Sequence, residues 1–546
     1  MKTNHLNAYN NELIARNASL IILVLSISGF AIWSLLLGQD ANWDFKNYHY
    51  YNPFALLSGR MAYDIAPAQQ QTFLNPAVDI LPFLLIKYFT PRVFGIMIGA
   101  WHGINLWLLF LMGRELLVRI NFPKASVWAA ICALVGVKAA SSVSEVGTTY
   151  HDLTLSVFIL GSVYLYLRAW PDFKQGTATV SLRSMTFSGF LLGLAVGLKL
   201  TFALYAIGMG LAILVVQIAI LKRYRGLLPF GLAALLAFLL TAGPWMWFLW
   251  KHYGNPMFPL YNGIFQSPFY PLFNTFDSRF LPKTAWDAII FPFNFTLAAH
   301  AGNELSFRDF RIAFLYVGTS LASAYVLTTL LLARRCGSNL AANVKLDFSV
   351  VWLLVFIWTT YLAWLKMFAV YRYLICIELL SPIILVLLVG SLIKFQFSRP
   401  LLLVCFLFLV FNTRAPDWGR APWADDFFGV HPPPITWEEN SVVLIASDYP
   451  LAYVIPAFPE TVRFVRIEGN FINLGQKTTL TDQVRSVISE SVNNLYLLTY
   501  RSSINESTQV ANQYIKDHTA TVGTCEPVIS RIDSSIVLCR LYLSGS

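Results

Sequence analysis

Charge is what this sequence has least of. Among 546 residues only 12% are Asp, Glu, Lys or Arg, where a soluble domain carries about 25%. Hydrophobic residues make up 56%, and the mean hydropathy is +0.58. One large soluble globule is excluded, because single soluble cores stop growing near ~250–300 residues. The apolar residues arrive instead in runs of roughly 20, the length that crosses a bilayer. Also missing is any basic face interleaved with aromatics. The net charge of +10 therefore does not point to nucleic acid. Lys and Arg stand at the ends of apolar runs, where cytoplasmic loops collect them.

Cysteine is sparse, with six in the chain. Cys132, Cys376 and Cys405 lie inside apolar runs and read as packing residues. Cys336 follows Arg334-Arg335 on a cytoplasmic boundary. Only Cys525 and Cys539 share a polar segment, and they are disulfide candidates if that segment lies outside the cytoplasm. A cleavage site is absent too. The first apolar run, about Ser19 to Leu37, continues into Gly38-Gln39-Asp40 and reads as a retained helix.

With Lys2 and Arg16 placed inside, one threading leaves every inner loop basic. The spans fall near 19–37, 93–112, 126–142, 152–169, 185–198, 200–220, 227–249, 312–333, 348–365, 373–392 and 400–412, about eleven in all. Their inner ends carry Arg114, Arg119 and Lys124; Arg168, Lys174 and Arg183; Lys222, Arg223 and Arg225; Arg334 and Arg335; and Lys394 and Arg399. Ile80–Phe89 is too short to span comfortably and reads as interfacial or re-entrant; counting it as a span would put Arg114, Arg119 and Lys124 outside. The fold class expected is a polytopic α-helical membrane protein with interfacial helices in the first outer loop and a C-terminal soluble α/β domain. Its domains are a transmembrane region, 1–413, and a tail, 414–546, placed in the periplasm by the odd number of spans. In the tail, strand-like runs (Val442–Ala446, Val462–Ile467, Leu495–Thr499, Ile536–Leu541) are interspersed with helix-like runs (Leu480–Val492, Asn505–His518).

Ionisable residues at a bilayer are costly, about 2.5–3.5 kcal/mol at a helix centre, so their placement is informative. In this threading they gather on the outer side. The first outer loop contains Asp44, Tyr48, His49 and Asp64, and the second runs Ser144-Glu145-Val146-Gly147-Thr148-Thr149-Tyr150-His151-Asp152. Asp44 and Asp152 are either helix-end residues held by local dipoles or acids able to take a proton or bind a divalent cation. Glu145 and His151 supply further ligand atoms, at a spacing that matches no specific zinc pattern. Lys199, in Gly197-Leu198-Lys199, either snorkels to headgroups or meets a lipid phosphate. Arg308 and Arg311 either fork onto a phosphate or pair with Asp309 or Glu304. Arg372, between Tyr371 and Tyr373, is an anchor or a phosphate reader.

The stretches Asp44…Tyr48-His49, Gly197-Leu198-Lys199, Gly243-Pro244-Trp245…Gly254-Asn255-Pro256…Phe258-Pro259 and Arg372-Tyr373-Leu374 resemble those of the GT-C superfamily. That group includes protein O-mannosyltransferases and the aminoarabinose transferases of lipid A, and the resemblance covers about the whole membrane part. It implies a glycosyltransferase that uses a polyprenyl-phosphate-linked sugar, with Asp44 and Asp152 as catalytic acids. Lys199 and Arg372 would hold the donor phosphate; Arg308 and Arg311 are further candidates for that role from their own position in the sequence. Tyr48, His49, Asp64, Glu145 and His151 would form the acceptor pocket. The acceptor is a lipid, a glycan or a protein, and membrane lipid is a further partner. A divalent metal ion on Asp44 and Asp152 stays open. The chain departs from the superfamily in having one Asp44 instead of an adjacent acidic pair, and Asn75-Pro76 where many relatives show paired prolines. The implied place is the bacterial inner membrane, with the N-terminus cytoplasmic. Competing readings are a transporter or flippase, a polysaccharide polymerase or ligase of the cell envelope, and a non-catalytic assembly protein.

Overall fold

The computed structural model describes residues 2–170, 180–275, 277–297, 300–336, 347–472, 475–515 and 518–545, so Lys174 of the sequence argument lies outside the described residues. Among the described residues, nine helices are long and apolar enough to cross a membrane: Asn17–Leu37, Pro91–Arg119, Asp152–Ala169, Leu200–Ile220, Leu227–Tyr253, Arg311–Thr329, Phe348–Met367, Tyr371–Gly390 and Phe395–Asn412. Two shorter apolar helices, Ala125–Val137 and Leu182–Leu198, occupy the remaining two positions of the expected eleven. This is a multi-pass helical membrane protein with a soluble α/β portion. The Ile80–Phe89 stretch lies in a 12-residue helix, Ala77–Tyr88, which is not one of the spans.

The chain divides into two compact units. The first holds 1–36, 96–240 and 277–417. Its centre is the Tyr371–Gly390 helix, 83% buried, whereas Asn17–Leu37 is only 17% buried. Small residues set the closest helix pairs. A Cβ on Gly189 would fall 2.0 Å from the Phe230 carbonyl oxygen, and one on Gly193 would fall 2.0 Å from that of Ala234. The Gly189-x-x-x-Gly193 spacing thus lets the two backbones touch, which is how helices associate where no hydrophobic force separates protein from lipid.

The second unit holds 37–95, 241–276 and 418–546. Its sheet comprises β1 (Val442–Ala446), β2 (Arg463–Glu468), β3 (Leu495–Tyr500), β4 (His518–Pro527) and β5 (Ile536–Gly545), in the order β2-β1-β3-β5-β4. β1 pairs in parallel with β2 and β3, whereas β5 is antiparallel to β3 and β4. The inner strand β1 is buried along its whole length, as its unbroken Val-Val-Leu-Ile-Ala run requires. Helices Thr479–Glu490 and Ile504–Tyr514 supply the alternation expected from the sequence. β4 begins where a helix was expected to end: His518 starts a strand, and Cys525 lies opposite Cys539 in register, joined to it by a disulfide.

The tail does not stand apart from the first loop. Ile65 bridges Val465 in parallel beside β2. Arg60 donates to the carbonyls of Glu460 (2.7 Å) and Val462 (2.6 Å), and Asp64 accepts from the Phe464 amide at 2.9 Å. Arg466 is fully buried and donates to the Pro67 carbonyl at 2.8 Å. Its burial pushes the guanidinium pKa down to about 9, against the pull of Asp448 and Glu468.

Candidate functional site

In the first unit the second loop is pinned before it reaches Asp152. Gly147 has φ +74, and a Cβ there would meet the Ser34 hydroxyl at 2.1 Å, so only glycine fits. Its amide donates to His102 Nδ1 at 3.1 Å. His151 then adopts a left-handed conformation, φ 66, immediately before the Asp152–Ala169 helix. Asp152 occupies the first turn, where the helix dipole favours a carboxylate.

Asp152 is the hub of a charged cluster. Lys199 Nζ lies 2.6 Å from Asp152 Oδ1 and also donates to the Tyr150 carbonyl at 2.9 Å. Arg372 Nε lies 3.8 Å from Asp152 Oδ2. The Asp152 side chain is fully buried, while Lys199 and Arg372 keep 17% and 14% of their side chains exposed. Arg372 lies over the Tyr150 ring, 4.6 Å from its centroid, and Lys199 lies 5.6 Å from that of Tyr373. Both cations thus have an aromatic face beside them.

Glu145 completes the cluster. It is wholly buried, and its Oε2 accepts from the Leu153 amide at 2.8 Å. Burial drives its pKa well above the ordinary glutamate value. The charge of Asp152 raises it further, while Lys199, the Leu153 amide and Arg372 oppose the shift. Glu145 Oε1 and Asp152 Oδ2 are enclosed without a hydrogen bond, although Arg372 attracts the latter at the distance given above. Two buried carboxylate oxygens of this kind suit a cation or a proton.

The turn carrying Arg372 is held from three sides. The Tyr371 amide donates to the Gly302 carbonyl at 2.6 Å. The Trp364 indole donates to the Val370 carbonyl at 2.6 Å, and Tyr205 donates its hydroxyl to the Tyr373 carbonyl at 2.6 Å. These supports were not apparent from the sequence, because each is made to backbone from a residue distant in the chain or packed inside a helix.

Arg311 takes the pairing alternative. It is completely buried and donates to Asp309 Oδ2 at 2.6 Å, to Thr413 Oγ1 at 2.8 Å and to the Val135 carbonyl at 2.7 Å. Arg308 Nε donates to the Asn412 carbonyl at 2.9 Å. Glu378, which the sequence reading overlooked, is also fully buried and accepts from the Ser141 amide at 3.3 Å.

In the second unit Asp44 precedes the short helix Phe45–His49 and is partly exposed. The helix start is fixed by Asn42, which accepts from the Phe45 amide at 2.8 Å and donates to Asp40 at 2.7 Å. His49 is buried and lies 2.7 Å from Asp79 through Nδ1, and the Tyr48 ring lies 4.0 Å from its imidazole. Asp64 is chelated by Arg60 at 2.7 and 2.9 Å and accepts the Tyr51 hydroxyl at 2.8 Å. Desolvation nevertheless leaves its pKa raised, with Arg60 opposing.

No family model matches the sequence, and no curated protein matches it either. Solved structures do. ArnT from Cupriavidus metallidurans in the apo state aligns over 98% of both chains at 13% identity and a TM-score of 0.38. The same protein bound to undecaprenyl phosphate aligns over 97% of this chain and 98% of that one, at 13% identity and a TM-score of 0.37. The Archaeoglobus fulgidus oligosaccharyltransferase in complex with zinc and sulfate aligns over 92% of this chain and 71% of that one, at 12% identity and a TM-score of 0.46. At these identities and scores no residue role passes from either protein to this chain.

Proposed function

We propose that the chain is a glycosyltransferase that moves a sugar from a polyprenyl-phosphate donor to an acceptor. We place this at the periplasmic face of a bacterial inner membrane, with the N-terminus cytoplasmic and the 414–546 segment periplasmic. The observation that carries the reading is the Asp152–Lys199–Arg372 cluster. Two cations flanked by aromatic rings share a single carboxylate and retain a little exposure. The donor's phosphodiester arrives with one negative charge and gains a second as the sugar leaves, so it offers Lys199 and Arg372 a partner in place of Asp152 that strengthens during the reaction. Arg372 suits a forked contact and Lys199 a point contact.

The reaction is a displacement at the anomeric carbon. The acceptor forms the new bond as the bond to the lipid phosphate breaks, so a single step inverts the centre. Charge develops on the departing phosphate, and fixed cations stabilise it there most strongly. Asp44 is assigned the acceptor's proton. Asp152 holds the two cations in place when no phosphate is bound. Burial favours the uncharged form of Glu145, which limits negative charge beside the donor. A divalent cation would be held by the buried oxygens of Asp152 and Glu145, the latter giving up its proton, and would add positive charge for the leaving phosphate. His49, oriented by Asp79, and Tyr48 are assigned to the acceptor.

The test separates the two roles. Asp44→Asn is expected to lower transfer by about 10²- to 10⁴-fold while leaving binding of the polyprenyl-phosphate donor intact. Lys199→Ala and Arg372→Ala are expected to weaken donor binding at least tenfold. Transfer at the wild-type rate in Asp44→Asn removes the base assignment, and unchanged donor affinity in both cation variants removes the phosphate site.

A further inference from the structure

Within the second unit, residues of the first loop and the Thr479–Glu490 helix enclose a cavity of about 250 Å³. Drug-sized ligands occupy pockets of about 300–1,000 Å³, so this one is of a size for a single ring. Its walls are of two kinds. The Phe73 and Tyr253 rings meet edge to face at 5.2 Å and form an apolar side. Arg463, Gln483, Ser486 and Glu490 form a polar side.

The polar side offers every kind of hydrogen bond. Arg463 only donates, Glu490 only accepts, and Gln483 and Ser486 do both. Ser486 donates to Glu490 at 2.6 Å, which orients that carboxylate. The helix presents Gln483, Ser486 and Glu490 together because residues three and four apart share a face. The charges cancel: Arg463 balances Glu490, and Asp64 at the cavity wall is spent on Arg60. A phosphate or other strongly charged group therefore finds no net attraction, and an acyl chain would strip four polar groups of water without replacing their bonds. A pyranose satisfies both walls. Its hydroxyls donate and accept around the rim, and its C–H faces are apolar.

We propose that this cavity binds one neutral pyranose unit and that the acceptor is a glycan. The acceptor role rests on the transferase reading above, whereas the binding itself does not.

The test uses the full chain in nanodiscs free of glycolipid and sugar detergents. Ligand-observed saturation-transfer NMR is run with methyl glycosides of glucose, mannose, galactose and N-acetylglucosamine, and with glucose 6-phosphate as the charged control. At least one neutral glycoside is expected to bind saturably. Gln483 and Ser486 are exposed, so their replacement leaves the fold intact. Ser486→Trp is expected to weaken binding at least tenfold, Gln483→Ala about threefold, and Lys199→Ala not at all. The proposal is overturned if no neutral glycoside binds, if glucose 6-phosphate binds more tightly than the neutral glycosides, or if Ser486→Trp binds like the wild type. Donor-dependent transfer by a chain that binds no glycoside overturns the cavity assignment alone. Glycoside binding by a chain that transfers no sugar upholds the cavity and removes the transferase reading.

Discussion

Glu145 is the member of the cluster whose titration burial governs. Its surroundings are Asp152, Lys199, Arg372 and the Leu153 amide, and burial outweighs them all. A carboxyl group whose pKa is higher folded than unfolded contributes stability that is complete below the unfolded value, about 4.3. That contribution is lost as pH rises through the folded value. Wild-type protein should therefore lose melting temperature as pH climbs out of the ordinary carboxylate range. Glu145→Gln, which keeps an acceptor for the Leu153 amide, should show a shallower decline. Thermal unfolding across pH 4 to 8 checks this, and equal slopes in the two proteins would remove the buried proton. The other members of the cluster were legible from sequence for a simple reason. Lys199 interrupts an apolar run, and Asp152 and Arg372 stand where apolar runs begin, places where a charge near a bilayer carries a cost. The Tyr150 platform was not legible, because a tyrosine at a membrane boundary has an ordinary role as an anchor. For Arg311 the sequence allowed a phosphate or a neighbouring acid, and only the fold, by burying it with Asp309, selects the acid.

Elements made of strongly patterned sequence were readable in both type and position. The spans follow from run length, and β1, β2, β3 and β5 follow from compact apolar runs bounded by polar turns. β4 was missed because its His-Thr-Ala-Thr-Val-Gly-Thr sequence is half exposed and carries a glycine. Its partner β5, joined by the Cys525–Cys539 bond, supplies the order that local propensity lacks. The Gly189 and Gly193 pair makes its own prediction at this scale. Gly193→Leu inserts a side chain where even a Cβ would be 2.0 Å from a carbonyl oxygen. It should separate the 182–198 and 227–253 helices and lower the melting temperature by several degrees, at a cost of about 1–3 kcal/mol. Gly210→Leu, where a Cβ meets nothing within 4 Å, is the control expected to melt like wild type. Equal losses in both variants would show that close backbone approach is not what holds that pair.

At the scale of the whole molecule, the pairing of first-loop residues with the tail was beyond sequence reasoning. Composition changes after Asn412, which marks a boundary along the chain but not what the later segment folds with. Arg60, Asp64 and Ile65 give no local sign that their partners are Val462, Phe464 and Val465. The consequence is testable by removing the tail. A chain ending at residue 417 should leave the 60–67 segment open to limited proteolysis, because Arg60 and Asp64 lose their backbone partners. A segment as resistant as in the full chain would mean that the first loop folds without the tail.

The pairing also carries an order of events in time. Asp64 and the Phe464 amide it accepts from are 400 residues apart. At synthesis rates of about 5–20 residues per second, the early segment leaves the ribosome roughly 20–80 s before its strand partner exists. For that interval its apolar residues and the Arg60–Asp64 pair must be kept from other partners. The later-made segment thus acts as the clasp that ends the first loop's vulnerability during biogenesis.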